Sequence, residues 1–222
     1  MTRLLRNKGV ASLAAAGLAF GGLAVGLGTT AATTATASAS TPPLVVESSP
    51  ESTITDDFNP YVPTGAVYNL GATGLIYEPL IEFDLAKPPI YYPWLATKFA
   101  LSNAGKSITF TIRQGVEWNN GTPFTPADVA FTYNLIKKYP AINLDGLPIK
   151  SVSTSGDTVT VNFAVAQYTN LQDAAGVGIL PESVWSTVGN PATYADADPV
   201  GTGPFMLATG AFTPQGFTLT PN

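Results

Sequence analysis

The sequence predicts an α/β protein in which short strands of a mixed sheet alternate with short helices. Three observations carry that expectation: two stretches of period-two alternation, a strongly capped helix between them, and a strand pair near the C-terminus. In residues 108–113, Ile108, Phe110 and Ile112 face one way and Thr109, Thr111 and Arg113 the other, as a strand with one buried face requires. Residues 158–163 repeat the pattern, with Val159, Val161 and Phe163 against Thr158, Thr160 and Asn162.

The elements follow in chain order. Residues 1–9 carry Arg3, Arg6 and Lys8, and residues 10–28 are apolar and uncharged. This is the layout of a signal peptide. Ala35, Ala37 and Ala39 offer overlapping A-x-A sites, and cleavage is expected after Ala39; retention of the same run as a membrane anchor is the rival reading. Leu44–Val46 suit a short buried strand, followed by a loop rich in Ser, Pro, Asp and Asn. In residues 66–83, Gly71, Gly74 and Pro79 interrupt the pattern, which reads as a short helix and then a strand at Leu80–Phe83. Asn103–Lys106 form a turn before the 108–112 strand.

Beyond that strand, Gly115 permits a tight turn and Asn119–Gly121 a second one. A helix then begins with Thr125 as N-cap, Pro126 at its first position and Asp128 three residues after the cap, an aspartate version of the capping box. Phe124 and Val129 occupy the positions of a hydrophobic staple. Val129, Tyr133 and Ile136 share one face, Phe131 and Leu135 an adjacent one, and Lys137 and Lys138 lie before the stop at Pro140. A hairpin through Ser155-Gly156-Asp157 joins strands at 149–152 and 158–163. Residues 180–188 read as a short helix entered at Pro181, and residues 204–220 as a strand pair.

Composition excludes several classes of function. The chain has 222 residues with 45% apolar and only 11% charged, and it contains neither cysteine nor histidine. Disulfides, thiolate or imidazole metal sites, Ser/His/Asp and Cys/His catalysis and an N-terminal lipid-modified cysteine are therefore absent. The net charge is −5. Three of the ten basic residues lie in the leader, leaving seven against fifteen acids. An acidic chain without a basic cluster is not expected to bind nucleic acid. No cofactor or metal is expected.

The stretch ITFTIRQGVEWNNGTPFTPADVAFTYNLI, residues 108–136, resembles the signature region of the family 5 extracellular solute-binding proteins of ABC importers. Three further pieces agree with that family in order and spacing: LIYEPLIEF at 75–83, ILPESVW at 179–185 and PVGTGPFML at 199–207. At Glu182 and Ser183 many members carry Lys or Glu followed by His. The resemblance implies a two-lobed, periplasmic-binding-protein-like fold (type II), with residues 40–222 as the N-terminal part of the solute-binding domain, a partial first lobe. It also implies a monomer outside the cytoplasmic membrane that captures oligopeptides or oligosaccharides, hands them to a membrane permease and is not an enzyme.

GTGPF is not a phosphate loop, because Pro204 lacks an amide donor and a strand, not a helix, is expected after it. Ligand contacts are expected from the loop after the first strand, at Asp57, Phe58 and Asn59, because open α/β sheets bind ligands at strand ends. Tyr77, Trp94 and Trp118 are candidate stacking platforms for a sugar or a peptide side chain. Two other readings stay open. Paired acids, Asp56 with Asp57 or Glu78 with Glu82, would serve glycoside hydrolysis, and a retained leader would make an anchored extracellular interaction module.

Overall fold

The computed structural model describes residues 44–47, 53–84, 86–87 and 90–222. All of them belong to one unit, Ser40–Asn222, and the expected signal peptide at 1–39 lies outside the described residues. The elements are β1 (Leu44–Glu47), α1 (Ala66–Asn69), α2 (Thr73–Ile76), β2 (Ile81–Phe83), β3 (Tyr91–Pro93), β4 (Ala96–Ser102), β5 (Ser107–Ile112), α3 (Pro126–Lys138), β6 (Ile149–Ser155), β7 (Thr158–Phe163), α4 (Leu171–Ala175), α5 (Glu182–Trp185), β8 (Phe205–Thr213) and β9 (Gly216–Pro221).

The class is α/β as expected, but the strands form three sheets, with orders β1-β9-β8, β2-β3 and β4-β5-β7-β6. Every strand pair among the described residues is antiparallel, so the parallel pairs of a mixed sheet are not found there. The connections explain three of these six pairs: tight reversals at Asn103–Gly105, Gly156–Asp157 and Pro214–Gln215 join β4 to β5, β6 to β7 and β8 to β9. A tight turn permits only an antiparallel partner.

The four-stranded sheet carries the predicted alternation. Ile108 pairs with Val161 and Phe110 with Val159, and these four side chains are completely buried. On the opposite face Thr109 and Thr160 share a hydroxyl hydrogen bond of 2.9 Å. Helix α3 covers the apolar face with Val129, Tyr133 and Ile136. The Tyr133 ring stacks on Phe110 at 6.3 Å, and its hydroxyl donates to the Ala174 carbonyl at 2.6 Å. Each such buried side chain contributes about 1.5–3 kcal/mol through the water it sheds.

The start of α3 does more than cap a helix. Asp128 Oδ2 accepts from the Thr125 amide at 2.8 Å and from its hydroxyl at 3.0 Å, and Asp128 Oδ1 accepts from the Glu182 amide at 2.9 Å. One carboxylate thus closes the cap and holds the first turn of α5. Phe124 and Val129 are both buried, as a staple requires. At the other end Lys137 Nζ donates to the Lys150 carbonyl at 2.6 Å, tying α3 to β6.

β1 departs from expectation. It pairs with β9 through Leu44↔Leu219 to Glu47↔Gly216, but Leu44 is only half-buried and Val45 is 52% exposed. As an edge strand it has one neighbour among the described residues, which leaves Leu44 and Val45 less covered than residues of a central strand.

The GTGPF turn packs backbone against backbone. Gly203 donates its amide to the Ile76 carbonyl at 2.8 Å; a Cβ on Gly201 would run into the Ile76 carbonyl, and one on Gly203 into the carbonyls of Leu75 and Ile76. Gly201→Ala and Gly203→Ala are each expected to lower stability by about 3 kcal/mol. Gly189→Ala, with nothing within 4 Å of its Cβ, should change it by less than about 0.5 kcal/mol. Asp128→Ala, which orphans three donors on two helices, should cost about 2–3 kcal/mol. Urea unfolding midpoints measure all four.

Candidate functional site

The loop after β1 turns its predicted contact residues inward. Asp57 Oδ1 accepts from the Asn59 amide at 2.9 Å, and Asn59 Oδ1 from the Tyr61 amide at 2.9 Å, two successive side-chain turns. Asn59 Nδ2 donates at 2.7 Å to both the Pro191 and the Tyr194 carbonyl. Phe58 packs edge-on against Phe217 at 4.9 Å and Phe212 at 6.2 Å. Phe58 and Asn59 are 0% exposed, so the expectation that they contact ligand is corrected. Their surfaces are used in joining the loop to the C-terminal hairpin and to residues 191–194. Asp57 alone of the three stays half-exposed. Burial raises its carboxyl pKa, against the pull of the Asn59 amide and with a further push from Asp56.

Tyr77 and Trp118 are corrected in the same way, at 1% and 3% exposure. Trp118 stands edge-on to Phe124 at 5.6 Å, and its amide bonds to the Thr122 carbonyl across the Asn119–Gly121 turn. Tyr77 donates its hydroxyl to Asp196 Oδ2. The loop, Tyr77 and residues 191–196 therefore converge on one buried polar knot, in which the Phe58 amide also donates to the Ala195 carbonyl at 2.8 Å.

At the centre of that knot sits a feature that sequence reasoning missed. Asp196 is 1% exposed, adopts a left-handed backbone with φ 47°, and buries Oδ1 without a hydrogen-bond partner among the described residues. Burial pushes its carboxyl pKa up to about 7. The Tyr77 and Tyr194 hydroxyls oppose the rise, and Asp198 and Asp57 add to it. An acid in the segment 194–198 carries no signal of this kind in the sequence, because the Tyr77 hydroxyl that bonds it lies more than a hundred residues upstream.

Trp94 is the one predicted platform that keeps an open face, at 43% exposure. Its indole Nε1–H donates to Glu78 Oε1 at 2.6 Å. Arg113 Nε donates to the Trp94 carbonyl at 2.6 Å, and its Nη2 reaches the Pro93 carbonyl at 3.4 Å. These residues, with Leu95 and Val116, line a cleft of about 280 Å³. The tryptophan edge and its backbone are thus both clamped, while the residue as a whole stays exposed.

The acid pair Glu78 and Glu82 separates. Glu78 belongs to the Trp94 cleft, whereas Glu82 lines a different one of about 210 Å³ with Asp145 and Asp173. Burial raises the carboxyl pKa of Glu82 and of Asp145, the latter with a further push from the Asp173 charge. Among the described residues no group of three or more acids is arranged to hold a metal ion.

The model of the bacterial extracellular solute-binding proteins, family 5 Middle, matches residues 91–222, more than half of the chain. The chain belongs to this family. Among family 5 relatives, the dipeptide-binding protein of Escherichia coli (strain K12) is 31% identical over 188 residues, covering 72% of this chain and 34% of that protein. The peptidoglycan-binding protein YepA of Agrobacterium fabrum is 30% identical over 69% of this chain and 27% of its own length. The periplasmic oligopeptide-binding protein of Thermotoga maritima, solved with bound mannohexaose, superposes with a TM-score of 0.66 at 26% identity, covering 77% of this chain and 32% of that one. The chain thus spans about a third or less of the length of these relatives. No helix among the described residues is long and apolar enough to cross a membrane.

The buried acid generates a pH prediction. A carboxyl whose folded pKa is raised gives its full stability below the unfolded value near 4 and loses it as pH rises through about 7. The loss is about 4 kcal/mol when complete. Asp196→Asn, which keeps an acceptor for Tyr77 and suits positive φ, should flatten the fall in stability between pH 4 and pH 8. Denaturation midpoints across that range test this, and an equally steep fall in the variant would refute it.

Proposed function

We propose that the chain is the N-terminal part of the substrate-binding component of an ABC importer. It works outside the cytoplasmic membrane as a monomer, captures oligopeptides or oligosaccharides without chemical turnover, and passes them to a membrane permease. The observation that carries this reading is the family match across residues 91–222. The names of the relatives support the solute classes: one binds dipeptides, and a solved neighbour holds mannohexaose. Export rests on the leader at 1–39, with the solute-binding domain beginning at residue 40.

The hydrolase reading loses its support in the cleft geometry. Two catalytic carboxylates must flank one glycosidic bond about 5–10 Å apart, whereas Glu78 and Glu82 line separate clefts and Glu78 is already bonded to the Trp94 indole. Asp56 and Asp57 are neighbours in a loop in which Asp57 is occupied by Asn59. The anchored-module reading depends on residues outside those described. Fractionation separates it, since an anchored chain resists high-salt and carbonate extraction.

Calorimetric titration with dipeptides, longer peptides and cello-, malto- and manno-oligosaccharides, followed by chromatography of the recovered ligand, tests the proposal. Saturable binding with ligand recovered intact is the expected result. Steady consumption of any of these ligands would overturn it.

A further inference from the structure

We propose that the Trp94 cleft is a sugar subsite, taking a single pyranose ring of a neutral oligosaccharide against the exposed indole face. The inference rests on the solute-binding reading above and narrows it to a ligand class at a named place.

Four observations lead there. Trp94 is 43% exposed in a chain whose other two tryptophans, Trp118 and Trp185, are 3% and 1% exposed. Leaving that much aromatic surface in water sacrifices about 25 cal/mol per Å² of burial. The ring is also held in place. Glu78 fixes its Nε1–H edge and Arg113 its carbonyl, so presenting the face to a ligand costs little further side-chain entropy.

The polar groups beside the face are still open. Glu78 uses Oε1 for the indole and has Oε2 free, and Arg113 bonds through Nε and Nη2 and has Nη1 free, among the described residues. One acceptor and one donor therefore flank an apolar face, and vicinal hydroxyls answer both, since each can donate to a carboxylate and accept from a guanidinium.

Charge and size decide between solutes. The cleft holds one acid and one base, which cancel. A peptide ammonium would gain from Glu78 and the ring face but lose to Arg113, and a peptide carboxylate would meet the reverse. An uncharged polyol meets no repulsion. The volume of about 280 Å³ lies just below the range of drug-sized pockets, which fits one ring with the rest of an oligomer running out into solvent. Every residue that lines the cleft lies within positions 78–116 of this chain.

The chain labelled with ¹⁵N at its tryptophan indoles provides the test. The Trp94 resonance is assigned by its loss in Trp94→Phe. Maltotriose, cellotriose and mannotriose are titrated separately, with Ala-Ala and Gly-Gly-Gly as peptide controls. At least one trisaccharide is expected to shift the Trp94 signal saturably while the peptides leave it in place. Trp94→Ala should weaken binding of that sugar about 10-fold or more, and Glu78→Gln, which keeps an acceptor for the indole, by about 3-fold or more. Both residues are at the surface, and circular dichroism confirms folding of the variants.

A Trp94 signal unmoved by all three sugars overturns the subsite. So does sugar binding that survives Trp94→Ala unchanged, or a Trp94 signal that answers to peptides instead. In each of those cases calorimetric binding of any peptide or sugar elsewhere on the chain leaves the broader solute-binding reading standing. Absence of all solute binding removes both.

Discussion

The structure depends on the five residues Ile76–Leu80. Four of their carbonyls are committed to distant parts of the chain: Ile76 accepts from Gly203, Glu78 from Ile179, Pro79 from Leu95, and Leu80 from both Trp94 and Ala96. An isolated bridge adds Pro79 to Gly178. A buried carbonyl left without a partner costs about 1–3 kcal/mol, so this one segment obliges the GTGPF turn, the 178–180 segment and the start of β4 to meet. Its extended backbone at Tyr77, φ −110° and ψ 116°, also sends neighbouring side chains in opposite directions. Tyr77 enters the buried knot with Asp196, and Glu78 reaches outward to Trp94. The polar knot and the open cleft are therefore consequences of a single extended crossing.

That division explains what the sequence could and could not disclose. The strand at 108–112, the turns at Gly115 and Asn119–Gly121, and the capped helix from Thr125 to Lys138 rest on neighbours within a few positions, and they are found where expected. The hairpins at 149–163 and 204–220 are legible for the same reason. Partner choice is not local. Alternation shows that Ile108 and Phe110 need a covered face, yet nothing in those residues says that Val161 and Val159 lie beside them, or that the strands separate into three antiparallel sheets.

The candidate site shows the same limit more sharply. Tyr77 and Trp94 are both aromatics beside acids in sequence or space, and the chemistry of the side chain alone ranks them equally as platforms. What separates them is whether the polar edge of the ring finds its partner inside or outside. Tyr77 meets a buried carboxyl from position 196, whereas Trp94 meets Glu78 at the surface. Phe58 and Asn59 were expected in a ligand loop because of the strand end they follow, but Phe217 and the carbonyls of Pro191 and Tyr194 claim them first. Asp196 gave no local sign at all.

The stretch that identifies the family also shapes the cleft. Arg113 stands just beyond β5, where its amide donates to the Leu95 carbonyl at 2.8 Å while its guanidinium reaches the carbonyls of Trp94 and Pro93. Val116, past the turn that Gly115 permits, supplies part of the apolar wall. A lysine at 113 would keep the charge but could not span two successive carbonyls with a planar fork. The arginine thus has a structural task, holding the 93–95 segment against the sheet, and that task leaves Nη1 without a hydrogen bond among the described residues. Residues read first as scaffold therefore also line, through Arg113 and Val116, the cleft beside Trp94.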